Sequence, residues 1–182
     1  MNRLSVLFLF LFFSVSGFSQ TDWIGTFNDD WNDTQNWSNN LVPTSTEDVT
    51  ITNGSPYFPV IFNTVSCRRL TIDPGAFVTI TNGILDAFGE VLNNGSIVIE
   101  TGNFISNFSF DATNGGIDFT GNGELIIKHS FVTSFGNLDQ NQGTVNYHAS
   151  GFSQSIEKTQ VFANLKIDNP DGLQLVKSIV IN

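Results

Sequence analysis

From Asp48 to its end, the chain is dominated by short runs in which apolar and polar residues alternate. Most runs are followed by a turn signal such as Asn-Gly or Asp-Pro-Gly. A period of two places successive side chains on opposite faces of a β-strand, and Asn and Gly tolerate the backbone angles that tight turns need. The clearest runs are DVTIT, RLTI, FVTIT, GEVL, SIVIE, GIDF, ELIIK, GTVNYH, NLKID and SIVI. The pattern predicts an all-β chain with many short strands.

Two all-β architectures fit strands spaced about 8 to 12 residues apart: a β-sandwich of antiparallel sheets, and a parallel β-helix, or solenoid, of stacked coils. Residues 70–83, 91–102 and 165–182 each run strand, Gly-containing corner, strand. Self-similar units of about 20 residues are typical of a solenoid. We predict about six irregular coils over residues 48–182, with Val, Ile, Leu and Phe inside. The sandwich remains the alternative, because the Asn-Gly pairs show no fixed period.

The three tryptophans of the chain, Trp23, Trp31 and Trp37, lie within fifteen residues of one another. A stack of coils exposes an apolar edge at each end and needs an atypical segment to cover it. Residues 20–47 are predicted to be this N-terminal cap, in which each indole buries roughly 150–250 Å². In the alternative interpretation, the same three indoles stack a sugar ring and form a carbohydrate-binding site.

Three carboxylates in the same segment, those of Asp29, Asp30 and Asp33, suggest an oxygen cage for calcium. An EF-hand is excluded, since Gln35 and Leu41 occupy the positions of its glycine and its bidentate glutamate. The alternative is an acidic loop whose side chains bind their own backbone amides. Calcium is the only cofactor that the sequence suggests.

Residues 1–19 have the three parts of a secretory signal peptide. Arg3 supplies the positive charge, residues 4–13 are apolar, and Gly17 and Ser19 are the small residues before a cleavage site. The apolar run is shorter than the roughly 20 residues that span a membrane as a helix, so we expect no membrane insertion after signal cleavage. The protein is therefore predicted to be secreted or to lie on the outer cell surface.

The formal net charge is −10, with seventeen acidic residues against seven basic ones. Nucleic acids and anionic membrane surfaces both require a basic footprint, so they are excluded as partners. Stacking could bring several carboxylates together, but no spacing selects a catalytic pair. The candidate carboxylates are Asp86, Glu90, Glu100, Asp111, Asp118 and Glu124. The sequence therefore predicts no enzyme.

Two segments resemble a known group of proteins. WIGTFNDDWNDTQNWSNNLVPTSTEDVTI resembles the W-x-G…D-W-x-x-x-x-N-W-S…V-P…D-D-V-x-I segment that opens large secreted proteins of the Bacteroidetes. GTVNYHASGFSQSI, with the later VFANLKIDNPDGLQL, is similar to their repeat G-T-V-x-Y-x-x-x-G-x-Q-x-I…Y-x-N-L-x-I-x-N…G-V-x-L. The chain departs from the repeat at Ser153, beside Gln154, and at Phe162, which replaces a Tyr.

The resemblance implies a right-handed parallel β-helix in an adhesin-like surface protein, exported by a type IX route that uses a C-terminal sorting domain. We expect this chain, which stops within the strand-like SIVIN, to be the N-terminal part of a longer protein. The expected function is that of a structural, adhesin-like stalk without catalytic activity, and the expected partners are extracellular glycans or surface polymers. The alternative is a carbohydrate-binding or polysaccharide-cleaving β-helix module.

Overall fold

The computed structural model describes residues 19–182, so the predicted signal peptide, apart from Ser19, lies outside the described residues. The strands are β1 (Gln20–Trp23), β2 (Asp48–Ile51), β3 (Val60–Ile61), β4 (Thr64–Cys67), β5 (Leu70–Ile72), β6 (Phe77–Ile80), β7 (Ile84–Ala87), β8 (Val91–Asn93), β9 (Ser96–Ile99), β10 (Asn103–Ser106), β11 (Phe110–Asp111), β12 (Gly116–Phe119), β13 (Glu124–Ile127), β14 (Val132–Ser134), β15 (Asn137–Leu138), β16 (Thr144–Tyr147), β17 (Gln154–Ile156), β18 (Gln160–Phe162), β19 (Asn164–Ile167), β20 (Leu173–Leu175) and β21 (Ile179–Ile181). A short 3-10 helix spans Thr34–Asn36. No helix in the described part of the chain is long and apolar enough to cross a membrane.

Three faces are built by strands that return to the same sheet once per coil. The first face has the order β1-β2-β5-β8-β11-β14, the second β15-β12-β9-β6-β3, and the third β19-β16-β13-β10-β7-β4. Coil 1 contains β2–β4, coil 2 β5–β7, coil 3 β8–β10, coil 4 β11–β13, coil 5 β14–β16, coil 6 β17–β19, and coil 7 β20 and β21.

Every pair of these strands is parallel. Register partners are separated by one coil, from 19 residues for Phe77 and Ser96 to 22 residues for Phe110 and Val132. The prediction of a parallel β-solenoid is confirmed, with about seven turns rather than six. The β-sandwich alternative is wrong.

The interior consists of columns of apolar side chains in register. On the first face, Val49, Leu70, Val91 and Phe110 follow one another from coil to coil, and each is at most 1% exposed. Their neighbours along each strand point outward, as the alternation predicted. Each column buries apolar surface at roughly 25 cal/mol per Å², so the coils stabilise one another by stacking.

The first face begins earlier than the expected boundary between cap and solenoid at residue 48. Strand β1 pairs with β2 from Gln20 to Trp23, so the first four residues of the predicted cap already belong to the ladder. Thr21 and Trp23 point inward and are buried, while Gln20 and Asp22 do not. The alternation is only four residues long, which is why the sequence pattern alone did not separate it from the cap.

The ladders are interrupted between coils 5 and 6, a boundary that we call the seam. The first face ends at β14 and the second at β15, whereas the third continues through the pairing of β16 with β19. Strands β17 and β18 pair only forward, with β20 and β21. Coils 6 and 7 are therefore joined to the rest of the solenoid by one ladder of three.

A buried glutamine bridges the seam. The Nε2 of Gln154 donates to the carbonyl oxygens of Ile127 over 2.8 Å and of His129 over 3.1 Å. Its Oε1 accepts from the backbone N–H of Ala149 and from Nδ2 of Asn169, over 3.2 and 3.1 Å. The amide thus satisfies buried backbone groups on one side of the seam and binds coil 6 on the other.

We expect amide hydrogen exchange to change abruptly at the seam. Segments held by fewer ladder hydrogen bonds open at a lower free energy, so β17–β21 should exchange faster than β5–β13. Exchange followed by mass spectrometry should place the step between β16 and β17. Equal protection from β5 through β19 would contradict the interrupted ladder.

Candidate functional site

The three tryptophans form one cluster on the N-terminal side of coil 1. The ring centroid of Trp31 lies 4.7 Å from that of Trp37 and 6.4 Å from that of Trp23, and Trp23 and Trp37 are 5.0 Å apart. Trp23 is the register partner of Ile51, and Asp30 bridges to Val60, so the segment lies over the first coil. All three indoles are 0% exposed and belong to the apolar cluster of the solenoid interior.

Two of the indoles are fixed by hydrogen bonds to backbone carbonyls. Trp23 Nε1 donates to Tyr57 O over 2.7 Å, and Trp37 Nε1 donates to Trp31 O over 2.8 Å. The Nε1 of Trp31 has no hydrogen-bond partner among residues 19–182. Since no indole exposes a ring face, a sugar cannot stack on Trp23, Trp31 or Trp37 in this structure. The geometry of these residues is that of packing against the end of the core.

The aspartates of the same segment are engaged in local turns. The carboxylate of Asp30 accepts from the backbone N–H of Asn32 over 2.9 Å, and that of Asp33 accepts from Gln35 N over 3.0 Å at the start of the 3-10 helix. Asp29 is exposed. Within the described residues, no three Asp, Glu, His or Cys side chains are placed to hold a metal ion together. Asp29, Asp30 and Asp33 therefore do not form a preassembled calcium cage.

A groove of about 550 Å³ crosses the second face from coil 2 to coil 5. It follows from one outward column of side chains in register: Phe77, Ser96, Gly116 and Asn137. The two middle members are small and the two outer ones are larger, so the centre of the column is recessed. Neighbouring strands lie about 4.8 Å apart, which gives the recess a length of about 14 Å along the solenoid axis.

One wall of the groove is the corner between the first and second faces, where Asn-Gly turns stack. The Nδ2 of Asn114 donates to Oδ1 of Asn94, one coil away, over 3.2 Å. Gly95 allows this close stacking, because a Cβ there would lie 2.1 Å from the carbonyl oxygen of Ala76. The stacked amides retain donor and acceptor capacity toward the groove.

The rest of the groove adds an aromatic ring and a carboxylate. Phe77 is 38% exposed, and its ring centroid lies 4.3 Å from that of Phe58. Asp118 lies beside Val98 in the neighbouring outward column, and its carboxylate accepts a hydrogen bond from Ser96. A ring face that packs on C–H groups, next to amides and a carboxylate that bind hydroxyls, suits an extended polyhydroxylated ligand.

The sequence analysis did not identify this groove. It treats Asn94 and Asn114 as turn residues, which they are, and it cannot show that their side chains stack. The available signal is the recurrence of Asn-Gly at residues 94 and 114, each followed by the small first residue of a strand, Ser96 or Gly116.

A family model described as "Domain of unknown function (DUF8693)" matches residues 22–162. The match starts within β1 and ends at the last residue of β18, so it includes the tryptophan cluster, the groove and the seam. Searches of the curated proteins and of the solved structures found no match.

Proposed function

The chain belongs to the DUF8693 family, and from that premise we propose that it is a secreted or cell-surface structural protein whose β-solenoid is adhesin-like and acts without catalysis. The solenoid supplies a scaffold in which each coil supports the next. The observation that carries the adhesive part of the proposal is the groove on the second face, with its stacked Asn94 and Asn114 amides and the exposed ring of Phe77.

Secretion is supported by the three-part signal pattern of residues 1–19. The adhesin-like role, and export by a type IX route, are supported by the resemblance of the tryptophan segment and of the later repeat to Bacteroidetes surface proteins. The surface chemistry agrees with this assignment, because polarity comes mainly from Asn, Thr, Ser and Gly and only 13% of residues are charged.

The proposed ligand of the groove is an uncharged polysaccharide. The protein carries a net charge of −10, and Asp118 adds a carboxylate to the groove itself, so an anionic polymer meets repulsion there. The groove runs along the solenoid axis, which suits a polymer that lies across several coils. Direct hydrogen bonds to hydroxyls would come from the amides, and apolar contact from Phe77.

Affinity gel electrophoresis with soluble polysaccharides tests this proposal. We expect laminarin, xyloglucan or starch to retard the protein, and alginate or polygalacturonate not to retard it. Asn114→Ala and Phe77→Ala should each raise the dissociation constant about fivefold, the equivalent of about 1 kcal/mol for one lost contact. Asn103→Ala is the matched control, because Asn103 faces outward on the third face, away from the groove.

Two results would contradict the proposal. If none of the neutral polymers retards the protein, or if Asn114→Ala behaves like Asn103→Ala, the groove is not the adhesive surface. Release of new reducing ends from a retained polymer would show that the protein cleaves its ligand, against the non-catalytic role.

A further inference from the structure

Four exposed phenylalanines line the corner at which the third face turns into the first, and we call this set the aromatic corner. Phe88 lies between β7 and β8, Phe108 between β10 and β11, Phe131 between β13 and β14, and Phe152 between β16 and β17. Each is therefore one coil from the next. They are 49%, 48%, 60% and 38% exposed, respectively.

The rings in coils 3 to 5 form a continuous strip, because His129 fills the space between them. Its ring centroid lies 5.1 Å from that of Phe108, 4.5 Å from that of Phe131 and 5.4 Å from that of Phe152. With about half of each phenyl group exposed, the aromatic corner presents on the order of 400 Å² of apolar surface. A contiguous patch of this size on a monomer is often a binding surface.

The two ends of the aromatic corner carry opposite charges. In coil 1 the corner holds Arg69, whose side chain is 53% exposed and lies 3.7 Å from that of Glu90, an exposed pair of little stabilising value. In coil 6 the corner holds Asp171, which is exposed and accepts from the backbone N–H of Gly151 over 2.6 Å. The order along the corner is thus a cation, four phenyl rings and an anion.

We propose that a second copy of this chain packs antiparallel on the aromatic corner, forming a twofold dimer. An axis perpendicular to the solenoid, between coils 3 and 4, places Phe108 against Phe131 of the second copy and Phe88 against its Phe152. The same axis places Arg69 against Asp171. Each contact occurs twice, which is the self-complementarity that a twofold interface requires.

Charge also favours this corner over other surfaces for self-association. Two copies with a net charge of −10 repel each other, and the repulsion is weakest where basic groups are concentrated. Of the six lysines and arginines in residues 19–182, three lie on this corner, namely Arg68, Arg69 and Lys128, together with His129 and His148.

The size of the patch sets the expected strength of the dimer. Stable interfaces bury about 800 Å² on each partner, and the aromatic corner offers about half of that in apolar area. The dimer should therefore be weak and depend on protein concentration.

Sedimentation velocity over a concentration series tests the proposal. The wild-type protein should shift toward the dimer as its concentration rises, while the double variant Phe108→Ser/Phe131→Ser should remain monomeric at every concentration. Val180→Ser is the matched control, because Val180 is 50% exposed in coil 7 and lies outside the aromatic corner. Circular dichroism of each variant establishes that the solenoid is folded.

Charge reversal tests the antiparallel arrangement independently of the aromatic residues. Arg69→Asp and Asp171→Arg should each raise the dissociation constant of the dimer at least threefold. The double variant Arg69→Asp/Asp171→Arg restores opposite charges across the twofold axis and should return the constant to the wild-type value.

Three outcomes would overturn the proposal. A wild-type protein that stays monomeric over the whole series excludes the dimer. A dimer that survives Phe108→Ser/Phe131→Ser but is lost in Val180→Ser forms through the last coil instead. Failure of the double charge reversal to restore the dimer excludes the antiparallel arrangement.

Discussion

Replacing Trp31 with alanine is expected to destabilise the N-terminal end of the solenoid by about 3–5 kcal/mol, the usual cost of truncating a large buried aromatic side chain. Trp31 is 0% exposed and contacts both other indoles, so its removal leaves a cavity above coil 1. Because stability in a solenoid depends on nearest neighbours, the loss should appear first in coils 1 and 2. Hydrogen exchange in peptides from β1 to β7 measures it.

Two phenylalanine variants separate packing from hydrogen bonding in the tryptophan cluster. Trp31→Phe keeps an aromatic ring and removes an N–H that has no partner among the described residues, so it should cost less than Trp31→Ala. Trp37→Phe removes the donor to the buried carbonyl of Trp31 and should cost about 1–3 kcal/mol for that bond alone. Unchanged exchange in Trp31→Ala would show that the cluster does not stabilise the first coil.

Replacing Gln154 with leucine should release coils 6 and 7 from the rest of the solenoid. The substitution preserves approximate size but removes all four hydrogen bonds of a side chain that is 1% exposed. Some of these partners have other bonds, so we expect a loss of about 2–4 kcal/mol, from 1–3 kcal/mol for each buried group left unpaired. Limited proteolysis should then cut between β16 and β20 while coils 1 to 5 stay intact.

Gln174→Leu is the control for this experiment, because Gln174 is an exposed glutamine on β20. It should change stability by less than about 0.5 kcal/mol. If Gln154→Leu and Gln174→Leu are cleaved at the same rate, the buried amide does not hold the seam together.

The strand content and the parallel stacking could be predicted from the sequence because both follow from local patterns. Alternation in DVTI and FVTI fixes which residues face inward, and the turn signals fix where each strand ends. The tryptophan segment was recognisable because an aromatic cluster without alternation, next to a solenoid, has few other uses. The interruption at the seam follows instead from pairings between coils, which a local pattern does not contain.

The surface features could not be predicted, because they depend on which residues of different coils become neighbours. The coil length varies from 19 to 22 residues, so the alignment of Phe77 with Ser96, Gly116 and Asn137 appears only once each register is known. The aromatic corner depends on the same information. A period search finds neither feature, since insertions at the corners shift the spacing without changing the stack.

Distances between spin labels test the stacking of coils most directly. Asp22, Thr50, Thr71, Leu92 and Asp111 form one outward column on the first face. Labels can be placed on cysteines at Asp22 and Leu92, or at Asp22 and Asp111. The native Cys67 is buried, and desolvation, followed by the nearby Asp86 and Asp48, raises the pKa of its thiol, so it should not take up the label.

The account predicts backbone separations of about 14 Å for Asp22–Leu92 and about 19 Å for Asp22–Asp111, since each coil adds about 4.8 Å. The second distance must therefore exceed the first by one strand spacing. Equal distances, or a shorter distance to Asp111 than to Leu92, would contradict the parallel stack on which the groove, the seam and the aromatic corner all depend.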